Sequence, residues 1–131
     1  MSLSNDLTMA EATANTLMSI CHGIAARAGW WNPEDPNTSK ANPLHFSNKL
    51  CLIHSEISEA MEGDRKKSMD DKLPHREMRE VELADAVIRI FDLAGGYGLD
   101  LPGAIAEKLA YNAERADHKP ENRAAAGGKA Y

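Results

Sequence analysis

Residues 81–98, VELADAVIRIFDLAGGYG, decide the fold. From Val81 to Ala94 nearly every residue is apolar, and the exceptions are Glu82, Asp85, Arg89 and Asp92. Their spacing of 3, 4 and 3 draws one narrow polar stripe along a helix. A helix apolar over so much of its circumference is expected at the centre of a bundle, with the stripe lining a cavity. Asp92 continues the stripe two turns past Asp85 and is read as structural, paired with Arg89. Pro74 suits the start of this helix and the glycines at 95, 96 and 98 form a tight break after it, so it is expected over 74–95.

Outward from it, residues 44–66 form a second helix with Leu50, Ile53, Ile57 and the Ala60–Met61 pair as its apolar stripe. Glu56 and Glu59 border that stripe. The polar run DRKKSMDDK reads as a solvated connector between these two helices. Upstream, apolar residues recurring every three or four positions predict a first helix over 6–27, stopped at Gly29. Residues 30–43 hold three prolines and read as a loop, long for a helix connection. Downstream, Asp100 caps a fourth helix with Pro102 in its first turn, reaching about 117. Lys108, Asn112 and Arg115 share one face of it. The expected fold class is all-α, a four-helix bundle over 1–117 with a flexible C-terminal tail over 118–131.

Composition agrees with helices: only 5% of the 131 residues are aromatic. The net charge of −5 and the lack of a long basic run argue against duplex nucleic acid as a partner. The two cysteines, Cys21 and Cys51, provide no disulfide framework and are read as reduced thiols in a cytoplasmic protein. Cys21-His22 and Cys51-x-x-His54 lack standard zinc-ligand spacing. No signal peptide and no membrane span are expected.

The chemistry rests on two acidic signatures, EISE (Glu56, Glu59) and ELAD (Glu82, Asp85), each spaced so that its pair shares one helix face. Four carboxylates brought together by two helices repel unless a cation sits among them. Oxygen ligands without thiol or imidazole suit Mg²⁺, with Mn²⁺ as a substitute. Such an ion neutralises phosphoanhydride oxygens and generates a hydroxide nucleophile. Lys108 and Arg115 can neutralise further phosphate charge, with Asn112 as an orienting amide. Trp30 and Trp31 offer flat faces to a nucleobase, and His45 and Phe46 stand where they can share that pocket. Lys49, two turns before Glu56 and about 10 Å from it by helix rise, is within reach of a triphosphate.

In order, the set is ExxE, a polar connector, ExxD on an apolar helix, a glycine break, DLP and KxxxNxxR. That set, over residues 48–118, resembles the all-α nucleotide pyrophosphohydrolases, the superfamily of MazG, dimeric dUTPase and dCTP pyrophosphatase. ELADAVIRIFDLAGGYGLDLPGAIAEKLAYNAERADH is most similar to the MazG-like and dCTP pyrophosphatase branch. The resemblance implies hydrolysis of a nucleoside triphosphate to the monophosphate and pyrophosphate. It implies Mg²⁺ on Glu56, Glu59, Glu82 and Asp85, and nucleotide binding by Lys108, Asn112 and Arg115. It also implies a homodimer or homotetramer with sites near subunit interfaces. Glu59 is the candidate to orient or deprotonate the attacking water. Ser55 and Val81 stand where MazG proteins often double the glutamate, which leaves the substrate open. Phosphoribosyl-ATP is an alternative substrate, and a non-catalytic nucleotide-binding helical module is an alternative role. A di-iron carboxylate bundle requires Glu-x-x-His motifs, which neither acidic signature contains.

Overall fold

The computed structural model describes residues 2–115, 117 and 119–129. The described residues are helical and contain no β-strand. Five helices follow in order: α1 (Leu3–Arg27), α2 (His45–Lys66), α3 (Met78–Gly96), α4 (Leu101–Glu114) and α5 (Pro120–Ala124). The chain divides into two compact units, one of Leu17–Leu99 and the other of Met1–Thr16 with Asp100–Tyr131. The all-α expectation holds. The expected tail carries the five-residue α5, while residues 118, 130 and 131 lie outside the described residues.

The unit spanning Leu17–Leu99 is built on α2 packed directly against α3. Small side chains make that approach close: Ala60 on α2 and Ala86 and Ala94 on α3 are buried, with Leu93 and with Cys21 of α1. Among the described residues no large side chain is fully buried. Leu50, Ile57 and Met61 recur on one face of α2, and Leu83, Val87 and Ile90 on one face of α3, and all six are exposed in the single chain. Among the described residues, α3 thus has both buried apolar side chains, Ala86, Leu93 and Ala94, and exposed ones, Leu83, Val87 and Ile90.

The connector is more ordered than its polar composition suggests. α2 ends with Lys67 in the left-handed region (φ 52°), where Ser68 N–H reaches back to Gly63 O at 3.1 Å. Asp70 is buried, and its Oδ2 accepts the backbone N–H groups of Lys72 and Leu73. Met69 bridges Glu77, and Met78 N–H donates to Ser68 O at 2.9 Å. These bonds hold 70–76 as a closed turn, so α3 starts at Met78 rather than at Pro74.

The glycine break also divides its labour differently. Gly98, at φ 63°, is the left-handed residue that ends α3, with Leu99 N–H bonded to Ala94 O at 2.9 Å. Gly95 and Gly96 lie within α3 and make room instead. A Cβ on Gly95 would sit 2.7 Å from the His22 side chain, and one on Gly96 would overlap the Trp31 ring.

The loop over 30–43 is built from short side-chain turns. Asn32, Asp35, Ser39 and Asn42 each accept a backbone N–H two residues on. Thr38 Oγ1 donates to Asn32 O, and Thr38 and Ser39 are buried.

In the other unit, Asp100 Oδ1 accepts Gly103 N–H at 3.0 Å and Pro102 stands in the first turn, so α4 starts as its sequence predicts. It ends at Glu114, with Arg115 as its C-cap. No described helix is long and apolar enough to cross a membrane.

Candidate functional site

The i,i+3 spacing of each acidic signature turns both of its residues to one side of its helix. Packing α2 on α3 then brings together Glu56, Glu82 and Asp85, which can each place one carboxylate oxygen within 4.8 Å of the others. Glu59 lies outside that group and is exposed. Three of the four predicted ligands converge and the fourth stands beside them, near enough for its charge to act on Glu82.

The electrostatics record the crowding. Burial pushes the Glu82 carboxyl up to about 7, helped by a hydrogen bond with Glu56 and by the charges of Glu56, Asp85 and Glu59. Burial likewise raises Asp85, with Glu56 adding to the rise and Arg89 opposing it. The connector reaches this corner as well, since Asp70 and Lys72 both act on Asp85. Burial and mutual repulsion thus both favour positive charge beside the ionised carboxylates.

Arg89 supplies some. Its Nε donates to Glu56 Oε1 at 2.9 Å. The Arg89–Asp92 pairing expected along the polar stripe does not form. Asp92 instead faces α1 and the loop, where Oδ1 accepts Trp31 Nε1–H at 2.8 Å and lies 3.0 Å from His22 Nδ1.

Trp31 is the hub of an aromatic cluster. Its ring meets His22, His45 and Tyr97 edge to face, with centroids 5.1, 5.2 and 5.9 Å away. Phe46 meets Tyr97 edge to face at 4.9 Å. His45 is only 3% exposed; its Nδ1 lies 2.8 Å from Tyr97 Oη and its buried Nε2 has no hydrogen-bond partner. Burial lowers the pKa of His45, as do the charges of Lys49 and Lys40, against Asp92. Lys49 Nζ lies over the Trp31 ring at 4.8 Å, and burial lowers its pKa too. Lys40 Nζ bonds to Gly96 O at 2.9 Å. Trp31, His45 and Lys49 are therefore together, with Phe46 joined to them through Tyr97. Trp30 is 60% exposed and makes no aromatic contact among the described residues.

Lys108, Asn112 and Arg115 belong to the other unit. There Lys108 Nζ lies 4.6 Å from the Tyr111 ring centroid, Asn112 Oδ1 is buried without a hydrogen-bond partner, and Arg115 forms a forked pair with Asp117.

The sequence reading missed Tyr97, His22 and Lys40 around the aromatic cluster, and the pairing of Arg89 with Glu56. Only the spacing of Arg89 four residues after Asp85 hinted at the latter. A small cavity of about 100 Å³ at Gly63, Asp64 and Arg79 contains none of the clustered carboxylates. No known protein family, curated protein or solved structure matches this chain.

The donor set fits a small hard cation. All three groups offer oxygen. Octahedral Mg²⁺, with bonds of about 2.0–2.1 Å, sets neighbouring ligand oxygens about 2.9 Å apart and opposite ones about 4.2 Å apart, so the three carboxylates would have to close in from separations of up to 4.8 Å to hold it. A cation there would also oppose the rise of Glu82 that burial causes and the neighbouring carboxylates add to.

Proposed function

We propose that this chain is a Mg²⁺-dependent nucleotide pyrophosphohydrolase, converting a (deoxy)nucleoside triphosphate and water to the monophosphate and pyrophosphate. Clearing non-standard or excess nucleotides is the role that fits this reaction. The observation that carries the reading is the approach of Glu56, Glu82 and Asp85, from two separate sequence signatures, to within 4.8 Å. The resemblance in motif order supports it.

Glu56, Glu82 and Asp85 would hold Mg²⁺ or Mn²⁺, which supplies charge neutralisation at the phosphates and a lowered pKa for bound water. Glu59, beside the ligands and exposed to solvent, would orient the attacking water and take its proton. Lys49 would meet phosphate charge. Phe46 would line the base pocket, with buried His45 behind it. Trp31 supports this pocket from within the fold, and exposed Trp30 would provide a stacking face. Lys108, Asn112 and Arg115 remain the proposed nucleotide contacts of the other unit.

The exposed apolar faces of α2 and α3 support assembly into a homodimer or homotetramer. A binding module without turnover is a second reading, favoured by the position of Glu59 outside the carboxylate group.

The test is pyrophosphate release from a panel of ribo- and deoxyribonucleoside triphosphates, with Mg²⁺ and with chelator. Metal-dependent release is expected, and a preferred nucleotide names the substrate. Nucleotide binding without release selects the binding module. Neither binding nor release by a folded oligomer refutes both.

A further inference from the structure

We propose that Arg89 is a placeholder cation, holding Glu56 while the carboxylates lack a divalent ion and passing to a substrate phosphate once the ion is bound. The inference rests on the metal-site reading above and concerns how that site is loaded.

Arg89 stands one turn beyond Asp85 on α3 and reaches across to α2, where its Nε donates to Glu56 Oε1 at 2.9 Å. The two partners differ in freedom. The Glu56 side chain is 14% exposed and the Arg89 side chain 40%. The carboxylate is thus held in the seam, while the guanidinium approaches from solvent and has room to leave. A guanidinium and a divalent cation on one carboxylate repel each other, and both compete for its charge. Loading the cluster therefore weakens the Arg89–Glu56 bond, and Arg89 keeps Glu56 from standing as an unpaired half-buried charge until then.

The released guanidinium has a place to act. Its Nη groups make no hydrogen bond to any described residue, so its planar fork is open to an acceptor. Lys49, on α2 two turns before Glu56, holds its Nζ over the Trp31 ring at 4.8 Å and forms no ion pair among the described residues. Arg89 at the carboxylates and Lys49 at the aromatic cluster would be the two cations this unit offers to a bound phosphate. Phosphate oxygens are the acceptors that a guanidinium fork and a lysine beside a divalent cation would take. Arg89 is thereby a positioning residue for the ion and a contact for the substrate.

The test compares the full-length wild type with R89Q and R89K, checked for folding by circular dichroism. Mn²⁺ affinity is measured alone by calorimetry. Affinity for the pyrophosphate analogue imidodiphosphate is then measured in saturating Mn²⁺. R89Q is expected to bind Mn²⁺ about three- to tenfold more tightly, because the competing cation is gone. It is expected to bind imidodiphosphate about tenfold more weakly, because the fork is gone. The opposite signs distinguish this role from a merely structural one. If R89Q fails to fold, R89K decides: its weaker grip on Glu56 should tighten Mn²⁺ binding and its lost fork should weaken imidodiphosphate. A wild type that binds Mn²⁺, with either affinity unchanged in the deciding variant, overturns the placeholder role and leaves the metal site standing. A wild type that binds no Mn²⁺ overturns both.

Discussion

The indole N–H of Trp31 donates to Asp92 Oδ1 at 2.8 Å, joining the long loop to the C-terminal part of α3. The same oxygen faces His22 of α1. D92A would leave both partners without their acceptor in a half-buried setting. A loss of about 1–3 kcal/mol in unfolding free energy is expected. Urea denaturation checks it, and a change below about 0.5 kcal/mol, the scale of a neutral surface substitution, would show the junction to be dispensable.

Gly96 poses two opposed effects. Alanine in a helix interior usually stabilises by about 0.5–1 kcal/mol relative to glycine. Here the new methyl would overlap the Trp31 ring, and the ring is also tied to Asp92. Steric conflict is expected to win, with G96A less stable than wild type and its tryptophan emission shifted. A more stable G96A would mean that Trp31 yields easily.

The raised pKa of Glu82 has a definite sign for stability. Its carboxyl titrates near 7 in the folded chain, against an ordinary value of 4.5. Between these values the folded state holds the proton more tightly than the unfolded state. Stability from this group is full below about pH 4.5 and declines as pH rises through 7. Thermal melts from pH 4 to 8 should show the decline, and E82Q should flatten it. Saturating Mg²⁺ should offset it at the upper end by stabilising the ionised cluster. A decline identical in E82Q would assign the effect to another group.

The carboxylates should separate by role. D85N and E82Q remove oxygens from the converged group and should lower Mn²⁺ affinity about tenfold or more. E59Q should leave Mn²⁺ and nucleotide binding within about threefold and abolish pyrophosphate release. Near-normal turnover in E59Q would remove Glu59 from the water-activating role.

The exposed faces of α2 and α3 can be probed with one charge each. V87E and I57E introduce carboxylates into faces that the single chain leaves open. Burying an unpaired charge in an interface is strongly unfavourable. Sedimentation velocity should show the wild type as a homo-oligomer and each variant dissociated. A monomeric wild type at micromolar concentration would leave these faces to another role.

The all-helical class follows from the sequence alone, because apolar recurrence at three and four residues is a local property of the chain. The cap at Asp100 and the side-chain turns of the long loop are equally local, since each donor and acceptor lies within three residues of its partner. The pairing of each acidic signature on one helix face is local too. Tertiary structure decided what is not. Whether Glu56 meets Glu82 and Asp85, and whether Glu59 joins them, depends on the rotation of α2 against α3, which small residues such as Ala60 and Ala86 permit. Arg89 chose Glu56 over its neighbour Asp92 because the helix pair set Glu56 opposite it, while Trp31 and His22 claimed Asp92. Gly95 and Gly96 looked like a turn, because a sequence names a residue without a side chain but not the rings that will occupy the space. Composition and periodicity carry the helices; the identity of each charge's partner waits on the packing of one helix against another.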